Sequence, residues 1–437
     1  MLYRILKIIV GIGIRSYYRE IRILNKENLE HDGPVIVIAN HPNTLMDAWI
    51  MGFINPRRVH FMAKATFFNS PIKRRLLDAL GMIPINRKSD GVVAGVANKD
   101  SFEACYSLLE KGEILVVFPE GTSFLERRLR ELKTGTARIA LEVEARNNGQ
   151  LDLKVIPVGL NYLSADSFRG RVMVHVGKPI SVDSFLEEYK TNQGVAAKKL
   201  TERFRNELSR VFVTMNDNVK EQLVHQLTYV FDSRYTEERG VRQSIGILKD
   251  LQQRLDEITI TAPWKIDEIH EQTTDLVRTL NFFGVRPDFL DRPYRASLYL
   301  RQTIQSYLFL LLTIPFFLFG FVHNFIPYYG IGRLVPKLTK EVEYHAPLVV
   351  LLGLFIYPLT YVGWSILFNF LFDPTWLQLL LYAALLPLTG LFAHFFLKYI
   401  RHLLSKQQFS RFARRRKIVF AQLKSQRAQL KELIFND

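Results

Sequence analysis

The sequence predicts an α/β domain with a mostly parallel sheet flanked by helices, followed by a helical region and a C-terminal α-helical transmembrane domain. Two patterns predict this order. From Ile21 to about Lys178, short apolar runs alternate with helical segments, which is typical of parallel strands covered by helices. From Thr303 onward, three long apolar stretches occur, each free of Asp, Glu, Lys and Arg.

The composition narrows the range of partners. A net charge of +16 and a sequence pI near 9.7 favour anionic partners, either nucleic acid or an anionic membrane. A hydrophobic content of 48% with 32 phenylalanines, and no basic surface interleaved with aromatics, argue against nucleic acid. The single cysteine, Cys105, excludes an internal disulfide and a multi-cysteine zinc site, and we expect it in the core. An anionic lipid membrane is therefore the expected partner.

Residues 1–18 combine a short apolar run with Arg4, Lys7 and Arg15. The run is too short to cross a bilayer, and no small-residue cleavage site follows it, which argues against a signal peptide. We therefore expect an amphipathic helix that lies on the membrane surface.

Residues 19–190 form the predicted α/β domain. Its expected strands are Val35–Ile38, His60–Ala63, Met82–Ile85, Ile114–Phe118, Lys154–Val158 and Val172–Val176. One helix has a clear beginning at Ser70 and Pro71, as N-cap and first-turn proline, and a clear end at Gly81. Another is expected over residues 101–111 and ends at Gly112.

Three further segments complete the predicted organisation. Residues 191–300 are charged and helical, and the sequence assigns them no chemistry. Residues 301–400 form the predicted transmembrane domain, with spans at Thr303–Ile326, Ala346–Phe372 and Trp376–Leu397. The basic residues of segment 401–437 predict a helix that lies on the surface of an anionic lipid membrane.

The basic flanks of the spans predict the topology. They precede the first span and follow the last, which places both flanks in the cytoplasm and requires an even number of crossings. Because three apolar spans are present, one is expected to be re-entrant. The first span is the candidate for re-entrance because it contains Pro315 and Gly320 and is followed directly by Pro327. The α/β domain is then expected on the cytoplasmic side of a bacterial inner membrane or endoplasmic reticulum, according to the host.

The first stretch with chemical meaning is Asn40-His41-Pro42, which follows the buried strand Val35–Ile38 and leads to Asp47. An imidazole at such a turn lies at the carboxyl edge of the sheet, where open α/β sheets bind ligands. Six positions correspond to about 600° around a helix, so the pair can meet only if His41 lies in the turn and Asp47 in the helix. Such a pair suits a general base with an orienting carboxylate. The alternative is a structural histidine.

The second stretch is residues 118–123, Phe-Pro-Glu-Gly-Thr-Ser, after another buried strand. Its Pro-Glu-Gly sequence gives a rigid bend that exposes a carboxylate and backbone amides. Amides beside two hydroxyls can hold a substrate oxygen or a phosphate. The candidate binding residues are Glu120, Gly121, Thr122 and Ser123, and the alternative is an ordinary strand-to-helix turn.

Basic residues follow other predicted strands. Arg87 suits a phosphate fork, with a surface ion pair as the alternative. Lys64 follows a strand and Lys133 follows a basic loop, so both add positive charge. Pro157 lies in an apolar run suited to wall the same cleft. The sequence predicts no metal site.

These blocks, in this order, resemble the glycerolipid acyltransferase family, which joins fatty acyl thioesters to glycerol phosphates and lysophospholipids. The resemblance covers roughly residues 18–179. It is carried by Asn40-His41…Asp47, Ile83–Arg87, Phe118–Ser123 and Val155–Val158. The first and third blocks together are highly specific. The continuation over Leu132–Ala137 is similar to members that acylate glycerol 3-phosphate or its monoacyl product.

The resemblance implies a fold like that of the glycerolphosphate acyltransferases and a role for each matched residue. These are His41 as base, Asp47 as its partner, Arg87, Glu120 and Gly121 for the glycerol phosphate, and Pro157 for the acyl site. Five residues separate His41 from Asp47, one more than is usual in the family. We expect the turn after Pro42 to absorb the extra residue.

The implied reaction is acyl transfer to the hydroxyl of glycerol 3-phosphate or 1-acylglycerol 3-phosphate. The donor, acyl-CoA or acyl carrier protein, is a substrate, and no bound cofactor is expected. Backbone amides near the cleft would stabilise the oxyanion. Two alternatives stay open: a CoA-independent phospholipid transacylase with the same pair, and a non-catalytic lipid-binding scaffold of the membrane. The intact set of His41, Asp47, Arg87 and Glu120 argues against the scaffold.

Overall fold

The computed structural model describes residues 2–86, 99–214, 218–231, 241–290 and 296–435. The chain divides into two compact units. The first comprises Met1–Asn216 and Glu341–Val350, and the second comprises Asp217–Lys340 and Leu351–Asp437.

The first unit is built on one eight-stranded sheet. Its strands are β1 (Tyr18–Leu24), β2 (Val35–Ala39), β3 (Val59–Lys64), β4 (Met82–Ile85), β5 (Ile114–Val117), β6 (Lys154–Tyr162), β7 (Gly170–Val176) and β8 (Ile180–Ser181). Across the sheet the order is β1-β7-β6-β2-β5-β3-β4, and β8 pairs with β6. Strands β2 to β6 run parallel, whereas β7 and β8 are antiparallel to β6. The predicted α/β class with a mostly parallel sheet is confirmed.

Helices cover this sheet. They are α1 (Leu2–Tyr17), α2 (Thr44–Ile54), α3 (Pro71–Ala79), α4 (Lys99–Glu110), α5 (Gly135–Arg146), α6 (Leu186–Thr191) and α7 (Gln193–Val211). All residues of β2 and β5 are buried, as expected for parallel strands covered on both faces. Helix α7 contributes Leu200, Phe204 and Leu208 to the same core. The first unit therefore extends beyond residue 190, where the sequence placed its boundary.

Every strand predicted from the sequence is present, and two were missed. Strand β1 was not recognised because Arg19, Glu20 and Arg22 interrupt its apolar residues. Charged side chains of this kind protect edge strands from unwanted pairing, and β1 lies at the edge of the sheet. The other, β8, has only two residues.

Local signals set the ends of α3 as predicted. The Ser70 hydroxyl accepts a hydrogen bond from the Lys73 amide at 3.3 Å, and Pro71 is the first helical residue. After the helix, Gly81 adopts a φ of +77°, which glycine tolerates without steric cost. The predicted helix around Cys105 is α4, where the cysteine is buried in the core as expected.

Helix α1 is amphipathic, as the sequence predicted. Gly11, Ile14 and Tyr17 lie on its buried face. Its exposed large apolar side chains are Leu2, Ile5, Ile8, Ile9 and Ile12. The helix thus packs on the first unit with one face and presents an aliphatic stripe with the other. Its contact with a membrane stays a prediction.

The described part of the second unit is helical. It contains α8 (Asn218–Phe231), α9 (Val241–Thr261), α10 (Trp264–Phe283), α11 (Ala296–Leu338), α12 (His345–Phe372), α13 (Trp376–Arg415) and α14 (Lys417–Phe435), of which α12 begins in the segment grouped with the first unit. The basic helix α14 buries Leu423, Leu430 and Ile434. That face belongs to the protein interior, and the predicted contact of its basic residues with lipid stays a prediction.

In the part of the chain that the structure describes, three helical segments are long and apolar enough to cross a membrane: Ser297–Leu338, Val342–Phe372 and Trp376–Arg415. They contain the three spans expected from the sequence. The first is one continuous helix through Pro315, Gly320 and Pro327, so the expectation that these residues make it re-entrant is wrong, because a re-entrant segment must turn back within the membrane. Proline removes one backbone hydrogen bond without ending a membrane helix when neighbouring helices support the freed groups.

A buried polar contact joins these apolar helices. The Asn324 side chain of α11 donates to the Leu386 carbonyl of α13 at 3.1 Å and accepts from the Tyr361 hydroxyl of α12 at 2.7 Å. Gly390 makes room for it, since a Cβ there would lie 2.5 Å from Asn324 Cγ. Small residues and hydrogen-bonded amides stabilise the packing of membrane helices in this way.

Candidate active site

Two loops begin at the same level at the carboxyl edge of the sheet. Strand β2 is followed by Asn40 and His41, and its parallel neighbour β5 is followed by a long loop that starts at Phe118. The registered pair Ile38 and Val117 lies at the ends of the two strands. Both predicted motifs therefore lie at one edge, where α/β sheets bind ligands.

His41 and Asp47 are in hydrogen-bond contact. His41 Nδ1 lies 2.9 Å from Asp47 Oδ2, with the imidazole 16% exposed and the carboxylate fully buried. His41 is in the turn and Asp47 is in the first turn of α2, as the helical geometry required. The same oxygen accepts the Asn43 amide at 2.6 Å. Within the described ranges, Nε2 of His41 forms no hydrogen bond.

The turn absorbs the additional residue between His41 and Asp47. Thr44, which begins α2, has a φ of 39°, in the left-handed region that a β-branched residue rarely adopts. Such a backbone conformation costs about 1–3 kcal/mol. The Thr44 hydroxyl donates to the Glu343 carbonyl at 3.0 Å, which offsets part of that cost. The longer spacing therefore leaves the histidine and the carboxylate in contact.

Asp47 has a further partner that the sequence analysis missed. The Tyr162 hydroxyl donates to Asp47 Oδ1 at 2.6 Å, and both groups are buried. Burial, together with the Asp47 charge, raises the pKa of Tyr162 well above its usual value, so this hydroxyl keeps its proton. The available signal was the run of residues after Val158: if the strand continues, Tyr162 falls at the same sheet edge as His41.

Glu120 ties the two loops together. Its Oε1 accepts the backbone amide of His41 at 3.1 Å, and its Oε2 accepts the backbone amide of Arg130 at 3.2 Å. Burial raises the pKa of Glu120 above its ordinary value, although both hydrogen bonds act in the opposite direction. The sequence analysis assigned Glu120 to the glycerol phosphate. That role stays a prediction, and the contacts seen here hold the main chain of His41.

The imidazole of His41 is further fixed by packing and by its neighbours in the chain. The ring stacks on Phe118, with centroids 4.0 Å apart and planes 10° apart. The His41 carbonyl accepts the Phe124 amide at 3.3 Å. Asn40 is anchored on β6, where its side chain accepts the Leu160 amide at 2.7 Å and donates to the Leu160 carbonyl at 3.1 Å. The histidine thus has a fixed backbone and a fixed ring plane.

Comparison with known proteins identifies the domain. Residues 20–161 match the family model described as Acyltransferase. This chain carries an acyltransferase domain. The match runs from β1 to β6 and includes His41, Asp47 and Glu120.

Two relatives of the acyltransferase domain are named as acyltransferases of glycerol phosphates. The chain is 31% identical over 117 residues to glycerol-3-phosphate O-acyltransferase 2 of Saccharomyces cerevisiae, covering 26% of this chain and 16% of that protein. It is 30% identical over 121 residues to the 1-acyl-sn-glycerol-3-phosphate acyltransferase of Bacillus subtilis, covering 28% and 56%. The matches thus span less than two thirds of either relative.

A solved structure is also similar to this chain. The crystal structure of the 1-acyl-sn-glycerophosphate acyltransferase from Thermotoga maritima shares 20% sequence identity with it. The match covers 46% of this chain and 79% of that one, with a TM-score of 0.31.

Lys133 lies at the turn of the acyltransferase domain that contains Glu120. Its amide donates to the Pro119 carbonyl at 2.9 Å, and its side chain lies against Gly121, whose φ is +77°. A Cβ on Gly121 would come within 2.9 Å of Lys133 Cε. Thr122 and Ser123 follow, and their backbone amides donate to no residue in the described part of the chain. The loop thus offers a cation, two hydroxyls and two backbone amides that have no acceptor among the described residues.

The other site residues predicted from the sequence are Lys64, Pro157 and Arg87. Lys64 ends β3, which β5 separates from β2. Two strand spacings, about 10 Å, therefore lie between it and the end of β2. Pro157 is buried beside Ile38 in the sheet, so its effect on an acyl site stays a prediction. Arg87 lies outside the described residues.

Metal-ligating side chains are not clustered in the ranges that the structure describes. No group of three or more His, Cys, Asp or Glu residues there could hold a metal ion. Around the candidate site, the oxygens of Asp47 and Glu120 instead accept the protein hydrogen bonds given above.

Proposed function

We propose that this protein is a membrane-bound O-acyltransferase that moves a fatty acyl group from an acyl thioester to the hydroxyl of glycerol 3-phosphate or 1-acylglycerol 3-phosphate. One observation supports it above all others. In a domain of the acyltransferase family, a partly exposed imidazole at the sheet edge is held through Nδ1 by the buried carboxylate of Asp47. The relatives in Saccharomyces cerevisiae and Bacillus subtilis, a glycerol-3-phosphate and a 1-acyl-sn-glycerol-3-phosphate acyltransferase, suggest the two acceptors.

His41 acts as the general base. Asp47 accepts a hydrogen bond from the Nδ1–H of His41, which fixes the tautomer with a lone pair on Nε2. Nε2 takes the proton of the acceptor hydroxyl as the hydroxyl oxygen attacks the thioester carbonyl carbon, and a tetrahedral oxyanion forms. The C–S bond then breaks, the new ester is released, and the proton passes from Nε2 to the thiolate of coenzyme A or the carrier protein. The cycle needs no resident cofactor and no covalent enzyme intermediate.

The loop after β5 stabilises the oxyanion. Preorganised backbone amides are the common donors for such an intermediate. The amides of Thr122 and Ser123 suit this role because no described protein group uses them, and because Glu120 ties their loop to the backbone of His41.

The acceptor phosphate binds beside the same turn. Lys133 presents a positive charge next to Gly121, and the hydroxyls of Thr122 and Ser123 supply hydrogen bonds. A cation near the cleft also attracts the phosphates of an acyl-CoA donor. Arg87 is proposed for the same phosphate from its place after β4, and Lys64 adds positive charge farther along the edge.

Attachment to a membrane suits a lipid product. Three apolar segments are long enough to cross a bilayer, and basic residues flank the first and the last of them. The basic residues that precede the first span support a cytoplasmic position for the acyltransferase domain. The exposed aliphatic stripe of α1, with Arg4 and Arg15 on the same helix, supports a second contact with an anionic lipid surface.

One assay distinguishes the proposed function from its two alternatives, a phospholipid transacylase and a lipid-binding scaffold. The purified protein is placed in liposomes with labelled acyl-CoA or acyl carrier protein and with each glycerol phosphate in turn. A further arm offers labelled phospholipid and a lysophospholipid without coenzyme A. We expect transfer from a thioester to one of the glycerol phosphates. Transfer only from phospholipid would identify a transacylase, and no transfer in any arm by folded protein would favour a lipid-binding scaffold.

A further inference from the structure

We propose that Tyr162 is a positioning residue that sets the basicity of His41 through Asp47, so that the reacting base is a His–Asp–Tyr unit. Its effect on catalysis rests on the proposed function. The hydrogen bonds that support it are independent of that function.

Both oxygens of the Asp47 carboxylate are used. Oδ2 is shared by His41 Nδ1 at 2.9 Å and the Asn43 amide at 2.6 Å. Oδ1 accepts the Tyr162 hydroxyl at 2.6 Å. Since Asp47 is fully buried, solvent cannot replace a lost donor. Tyr162 therefore decides whether Oδ1 is satisfied, and any rotation of the carboxylate would break the contact with His41.

Tyr162 is itself held rigidly. It ends β6, which pairs directly with β2, the strand that leads to His41. Its ring lies 5.8 Å from the ring of Tyr18, and its carbonyl accepts the Arg127 guanidinium at 2.6 Å. The hydroxyl consequently has a fixed place in the sheet. The orientation of Asp47 is thus set from the sheet as well as from its own helix.

The direction of the effect follows from the charge on Asp47. A hydrogen bond donated to a carboxylate draws off part of its negative charge, so the carboxylate stabilises a neighbouring imidazolium less strongly. Without the Tyr162 hydroxyl, Asp47 stabilises the imidazolium form of His41 more strongly. The titratable groups near the unit in the described part of the chain include Tyr18 of β1, Glu120 and Arg127 of the loop after β5, and Glu343, whose carbonyl accepts the Thr44 hydroxyl. None of them is altered in such a variant.

The test compares Tyr162→Phe with Tyr189→Phe. Tyr189 supplies the matched control because its hydroxyl also donates to a carboxylate, Glu142 Oε2, at 2.7 Å. The first readout is the pH dependence of kcat/KM. The second needs no activity: the pH dependence of His41 modification by diethyl pyrocarbonate, measured by mass spectrometry of its peptide. We expect both midpoints to rise by on the order of 1 pH unit in Tyr162→Phe only.

A second variant at position 162, which keeps the hydroxyl and makes it a stronger donor, should shift both pH midpoints in the opposite direction. Difluorotyrosine introduced at position 162 is a stronger donor than tyrosine, so both midpoints should fall. This keeps the proposal testable if Tyr162→Phe does not fold. Unmoved midpoints in folded Tyr162→Phe or in the fluorinated protein would overturn it, even if kcat dropped. A shifted His41 midpoint in protein without acyl transfer would support the inference and reject the proposed function.

Discussion

The carboxylate of Glu120 is hydrogen-bonded to the backbone of His41, whose amide donates to Oε1 at 3.1 Å. Its other oxygen accepts the amide of Arg130 at 3.2 Å. One side chain therefore joins the loop after β2 to the loop after β5. The backbone of the proposed base cannot shift without breaking this link.

Glu120→Gln replaces one acceptor oxygen by an NH2 group that faces a backbone N–H. One of the two hydrogen bonds is lost at a buried position, which should lower the free energy of unfolding by about 1–3 kcal/mol. The kcat for acyl transfer should fall because His41 is less well placed. Thermal unfolding in detergent and steady-state kinetics measure the two effects.

The control for that variant is Glu142→Gln, since Glu142 is also hydrogen-bonded but belongs to helix α5, away from the loops. A raised KM for the glycerol phosphate without loss of stability would show that Glu120 contacts the substrate. The structural role assigned here would then be wrong.

Gly121→Ala should weaken binding of the phosphorylated acceptor. Alanine at a φ of +77° costs about 1–2 kcal/mol, and the new Cβ would push the Lys133 side chain away from the turn. We expect KM for the acceptor to rise several-fold. Steady-state kinetics at low ionic strength measure this change.

Gly112→Ala is the matched control for Gly121. Gly112 has a φ of +74° with nothing within 4 Å of an added Cβ, so its substitution brings the same backbone cost and no clash. Both variants should lose similar stability, but only Gly121→Ala should change KM. Equal KM values in the two variants would mean that Lys133 does not contact the acceptor.

Gly390→Leu should destabilise the apolar helices. Its Cβ would lie 2.5 Å from Asn324 Cγ, so α11 and α13 must separate or Asn324 must give up its hydrogen bonds. Overpacking of this kind typically costs about 1–3 kcal/mol. Gly363→Leu is the control, because nothing lies within 4 Å of a Cβ there. Thermal unfolding in detergent compares them, and equal midpoints would contradict the packing described.

The sequence was informative where residues act through their near neighbours in the chain. The apolar runs of β2 and β5 specify buried strands, and Ser70 with Pro71 specifies the start of α3. His41 and Asp47 are close enough in sequence for helical geometry to predict how they meet. The family blocks added the Glu120 loop, although not the backbone contacts of its carboxylate.

What the sequence did not reveal depends on distant pairings. Tyr162 reaches Asp47 only because β6 pairs with β2, and no local pattern encodes that neighbour. Strand β1 is held by its pairing with β7, which outweighs its charged, irregular sequence. Helix α11 continues through Pro315 and Pro327, and the contact of its Asn324 with Gly390 of α13 joins residues far apart in the chain.

The loss of acyl transfer on removal of one imidazole tests the central claim most directly. Wild type, His41→Ala and His225→Ala are assayed in liposomes with acyl-CoA and the preferred glycerol phosphate. His225 is the control, with a side chain 51% exposed on α8. A general base contributes about 10²–10⁴-fold, so His41→Ala should lose at least 10²-fold while His225→Ala keeps wild-type rates. Equal rates in folded His41→Ala and wild type would contradict the assignment of His41 as the base.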